Sequence, residues 1–263
     1  MVTPAGEFSV DLPLGIRNSK VIFDWIHEQK PGLFNCIVCM ILIDSSGSQS
    51  YFYSPSRPDD QETEEDFNKR RTEHINTYFN RFRGKSDVHT LMNMWNFIIK
   101  GQQFGQQDQW ELNKDYVKKL CIENSLNNKL MKDTLSTIKK CIKIIKNAGF
   151  KVDVYSGIEG VDVDQFINDL TPIIRDVYYD SIAKSDGRMW VKNGMKYKPD
   201  RNALNRLDPK IDTKIAAIVK MQSSPNMSYV SVSLNIPDTQ SEKEKKVQKK
   251  VGISLDDLNA LIS

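Results

Sequence analysis

The apolar positions of this chain repeat with the helical period through its middle and with the strand period toward its ends. In residues 126–147, Leu130, Met131, Leu135, Ile138, Cys141, Ile142 and Ile145 fall within an arc of about 140° at 100° per residue. A helix is predicted there, closed by Asn147-Ala148-Gly149. Thr63, with Asp66 three residues on, starts a helix that runs to about Phe82 and stops at Gly84. Further helices are predicted over residues 86–100, 113–123 and 162–184, the last with Pro172 inside it. Near the N-terminus, residues 1–18 read as an extended arm. Ser19 then caps a short helix with Val21, Ile22, Trp25 and Ile26 on one side.

Residues 33–44 are apolar on both faces, which predicts a buried strand. With the turn "SSGSQS" and the run "YFYS" they form an expected hairpin over residues 33–54. A strand is expected at "FKVDVY". Asn193-Gly194, between "MWVK" and "MKYK", has the chemistry of a type I′ hairpin turn. A second hairpin pairs residues 211–222 with "SYVSVSLNI" across "SSPN". The fold class is therefore α+β: a helical middle, antiparallel β-hairpins near both ends and a charged C-terminal tail. The expected divisions are residues 1–105, residues 106–237 (continuous with the first or separate), and a tail over 238–263. "GQQFGQQDQ" supplies the linker between the first two.

At 263 residues the chain can bury a full core. No apolar run is long enough to span a bilayer, no signal-peptide core precedes the first helix, and a cytoplasmic protein without a membrane partner is expected. The four cysteines lie in apolar periodic segments, where they act as small hydrophobes. Seven alanines against 19 asparagines, and 27 lysines against 10 arginines, are the bias of an AT-rich coding sequence. That bias occurs in many viruses, phages, mobile elements and low-GC microbes, and if the source is viral, host cytoplasm or a virion is the corresponding location.

A net charge of +3 is too small for the whole molecule to act as an electrostatic binder, so distribution decides. Opposite the apolar arc of residues 126–147 stand Lys129, Lys132, Lys139, Lys140, Lys143 and Lys146, a one-signed strip suited to a phosphate backbone. On the helix over residues 64–82, Arg70, His74 and Arg81 share one side with Tyr78, and Arg83 follows, which is the cation and aromatic combination that grips single strands. In the tail, Leu255, Leu258, Leu261 and Ile262 gather on one side of a capped turn behind the spacer "SEKEKKVQKK", the pattern of a segment docking onto a protein partner or a second copy.

Two constellations offer a metal-dependent alternative. Asp44, Ser46 and Ser48 form a D-x-S-x-S sequence that resembles the metal-ion-dependent adhesion site of von Willebrand factor A domains, and the resemblance implies magnesium. Asp200, Asp212 and Lys214 resemble the outline of a PD-(D/E)-x-K nuclease, which implies a metal-activated water. Neither is followed by its family's pattern, so no cofactor and no metal are expected. The expected function is a non-enzymatic assembly or nucleic-acid-associated protein, plausible for a virus or mobile element, with RNA or DNA as partner. A purely structural scaffold is the remaining alternative.

Overall fold

The computed structural model describes residues 4–47, 49–53, 55, 62–100, 113–154, 161–199 and 208–236. Within them lie eight α-helices and a five-stranded sheet, an α+β fold with a helical middle. The helices are α1 (Pro4–Asp11), α2 (Ile16–His27), α3 (Leu33–Ser45), α4 (Glu64–His74), α5 (Asp87–Ile99), α6 (Lys114–Glu123), α7 (Asn128–Asn147) and α8 (Val163–Val177). The strands are β1 (Ile182–Ser185), β2 (Trp190–Lys192), β3 (Met195–Pro199), β4 (Lys214–Ser224) and β5 (Met227–Asn235).

The largest correction is at residues 33–54, where α3 replaces the expected N-terminal hairpin. Ten consecutive side chains, residues 34–43, are buried on every side of this helix. An all-round apolar run satisfies a central strand and an enclosed helix equally, and only its length of 12 or more residues favours the helix. Gly32 adopts the left-handed conformation (φ 70°) that turns the chain into it. Around α3 pack α2, α5, α7 and β4.

Smaller corrections follow from local signals. The expected N-terminal arm contains α1, and α2 begins after Gly15, not at Ser19, which is buried. Residues 150–154 form no strand. The predicted helix over 162–184 ends at Val177, and its last residues become β1. The capping signal at Thr63 held, its side chain accepting from Asp66 N at 3.1 Å, and the structure adds a cap at Asn127, which accepts from Leu130 N at 3.1 Å. Both hairpins of the C-terminal half form, the first across Asn193 (φ 49°) and Gly194 (φ 78°), the two positive angles of a type I′ turn.

The five strands close into a barrel in the order β1-β2-β3-β5-β4, antiparallel throughout except for the parallel pair β3–β5. Ala183, Trp190, Tyr197, Ile215, Ala217 and Val230 fill it. Past a shift in the β4–β5 register, Val232 and Leu234 of β5 and the following Ile236 belong to the helical core. There Ser233 donates from both N and Oγ to the buried carboxylate of Asp87, each at 2.8 Å, at the start of α5. The tail lies outside the described residues.

Because α3 is enclosed, Leu42→Ala should cost about 2–5 kcal/mol of unfolding free energy in a denaturant titration. Ile122→Ala, at a side chain 67% exposed, should stay within about 0.5 kcal/mol of the parent.

Candidate nucleic-acid interface

Helix α7 sits on α3 with Leu130, Met131, Ile138, Cys141, Ile142 and Ile145 buried. A hydroxyl pair, Tyr51 Oη and Thr134 Oγ1 at 2.5 Å, locks its polar inner position, and burial pushes the Tyr51 phenol up to about 12. With that side fixed inward, Lys129, Lys132, Lys139, Lys140, Lys143 and Lys146 are all exposed. The strip spans roughly 25 Å at 1.5 Å per residue. Residues 113–154 hold ten lysines against four acids, and α6 adds exposed Lys118 and Lys119, the latter 3.8 Å from Glu123. Since the whole chain nets only +3, everything outside this segment is net acidic.

The arginine patch is only partly assembled. Arg70 holds both oxygens of Glu62 at 2.8 and 2.7 Å and lies 5.5 Å over the Phe67 ring, so its charge already has a counter-ion. Arg81 donates to Asn124 Oδ1 and lies over Phe97 and Phe82, which fixes it beside the α6–α7 corner. His74 Nε2 is 2.9 Å from Tyr53 O and 3.0 Å from Ser125 Oγ at the same corner. Arg83 is exposed. Phe79 and Phe82 pack against Phe52 and serve the core rather than a ligand.

The metal-site sequences have other duties. Asp44 ends a helix, not a strand, and its Oδ1 accepts from Gly15 N at 3.0 Å and Asn18 Nδ2 at 2.8 Å, which ties the start of α2 to the end of α3. Ser46 Oγ donates to Leu42 O. Asp212 accepts from Asp208 N at 2.8 Å and Asn235 Nδ2 at 2.5 Å, while Lys214 opens β4. Ser48, Asp200, Leu255, Leu258, Leu261 and Ile262 lie outside the described residues.

Two clusters escaped the sequence reading because their members are far apart in the chain. At the seam of helices and barrel, Arg17 holds Asp180 in a two-pronged pair (2.7 and 2.6 Å) over the Tyr178 ring, and Lys220 Nζ reaches Ser181 Oγ at 3.0 Å. The Arg17 guanidinium holds the Asp180 carboxyl below its ordinary range, and burial lowers Lys220. At the start of α5, His89 lies between Ser86 Oγ (2.7 Å from Nδ1) and Asp164 (3.4 Å from Nε2), and Asp164 also pairs with Lys85 at 2.8 Å. Serine, histidine and aspartate are in line, yet Ser86 is fully buried and caps α5, so no substrate reaches its hydroxyl. A side chain at Gly84 would collide with His89 Cβ, which is why the chain passes there as glycine.

No protein-family model matches the chain. It is 30% identical over 153 residues to an uncharacterized protein of Acanthamoeba polyphaga mimivirus. That match covers 58% of this chain and 19% of the mimivirus protein, so the chain spans about a fifth of its relative's length. The likeness is consistent with a viral origin. Among the described residues, no helix is long and apolar enough to cross a membrane.

Burial lowers the His89 pKa, partly offset by Asp164 and reinforced by Lys85. The unfolded chain therefore takes up this proton first, and His89 subtracts stability as the pH falls below its ordinary value of 6.5. In melts between pH 7.5 and 5.5, His89→Gln should flatten that decline.

Proposed function

We propose that the protein is a non-enzymatic, nucleic-acid-associated viral protein that holds phosphate backbones, without reading their sequence, along the lysine side of α7. The observation that carries this reading is the exposure of all six lysines along one helix whose opposite side is committed to the core. Each ammonium set against a phosphate releases a condensed counter-ion, so affinity comes from charge and carries no base preference. The charge is concentrated, because residues 113–154 hold ten lysines against four acids while the rest of the chain sums to a net negative charge. Tail-mediated assembly, with Leu255, Leu258, Leu261 and Ile262 as the docking residues, belongs to the same proposal.

Replacing Lys132, Lys140 and Lys143 by Gln should lower the magnitude of the slope of log K against log salt on duplex DNA by roughly two to three units. An unchanged slope in a folded variant would remove α7 from the interface.

A further inference from the structure

We propose that the outer wall of the barrel is a second contact surface and that it takes single-stranded nucleic acid, with Lys184, Lys196 and Lys198 on the phosphates and Tyr229 beneath a base. This rests on the reading of the protein as nucleic-acid-associated, and it adds a separate surface and a class of ligand. The surface exists only through strand register. Lys184 pairs with Val191, Val191 with Lys196, and Lys196 with Met227, so one row crosses β1, β2, β3 and β5. One step along, Lys198 pairs with Tyr229 and Tyr229 with Met221, which adds the far half of β4.

Cross-strand partners share a face. In β3 the lysines alternate with Tyr197, which is 4% exposed and points into the barrel, so Lys196 and Lys198 point out. Lys184, Lys196 and Lys198 are exposed, as are Tyr229 at 37% and Met221 at 62%. Strands about 4.8 Å apart and residues about 6.7 Å apart along one face place the three ammonium groups within one short stretch of backbone.

The acids of this region do not oppose them. Among described residues 179–236 there is no glutamate, and the four aspartates are all occupied. Asp180 holds Arg17. Asp186 accepts from Arg188 N and Met189 N, Asp208 from Lys210 N, and Asp212 from Asp208 N and Asn235. Positive charge is thus left outward while negative charge is folded into turns, with an aromatic ring and a thioether set among the cations. Lysines alone would serve any polyanion, but an exposed ring beside them is useful only to a ligand whose bases are unpaired, because duplex bases present no free face.

The test uses the full chain with fluorescein-labelled oligothymidylate, oligouridylate and a mixed-sequence duplex, read by anisotropy across a salt series. Tyr229→Ala should weaken binding to either single strand roughly five- to a hundredfold and leave the duplex unchanged, while Tyr229→Phe should bind as the parent does. Lys184, Lys196 and Lys198 changed together to Gln should lower the single-strand salt slope by about two units. A preference between the two single strands, which differ in the 2′-hydroxyl and in the base methyl, leaves the surface in place. Loss in these variants with no effect of the α7 substitutions retains this surface and removes the α7 reading. Parent-like binding by the folded barrel variants, equal loss on single strand and duplex, or no binding by the parent chain overturns the proposal.

Discussion

A helix without a polar side has to be walled in from every direction, and α3 sets that requirement for the whole molecule. Ten successive buried residues leave no stripe for water, so α2, α5, α7 and β4 each contribute a flank. The amphipathicity of those flanking helices is the complement of this demand. In α7 the apolar arc is used up against the core, and its lysines lie on the exposed side. The charged surface is thus a by-product of where the core helix lies.

What could be read from the sequence divides along the distance over which the information is stored. Capping residues and helical periodicity act over one or two turns, so Thr63, Ser86 and Asn113 marked the starts of α4 to α6, and the start read at Leu126 lay two residues ahead of α7. The lysine side of α7 was legible for the same reason. Residues 33–45 were not, because periodicity carries no signal where every position is buried; length alone pointed to a helix, and β-branched isoleucine and valine argued the other way. The barrel was legible only as hairpins. Its closure by β1 and by the parallel β3–β5 pair depends on partners that no local pattern names.

The same division holds for the candidate site. Arg70 looked equivalent to Arg81 on a helical wheel, yet Glu62, eight residues earlier and ahead of the helix, supplies its counter-ion. Asp44 looked like the start of a metal loop because the residues before it read as strand. Once they form a helix, its carboxylate becomes the tie between α2 and α3. The barrel row of Lys184 and Lys196 comes from three strands in register and had no counterpart in the sequence pattern.

The position of β5 bears on how the chain can be made. β5 closes the barrel, contributes Val232 and Leu234 to the core with Ile236 just after it, and covers Asp87 at the head of α5. A nascent chain leaving a ribosome therefore carries a helix with no polar side and an uncovered buried carboxylate until residue 236 is free of the exit tunnel. Until then that apolar surface is open to intermolecular association, the hazard of any chain whose core is closed by a segment distant in sequence.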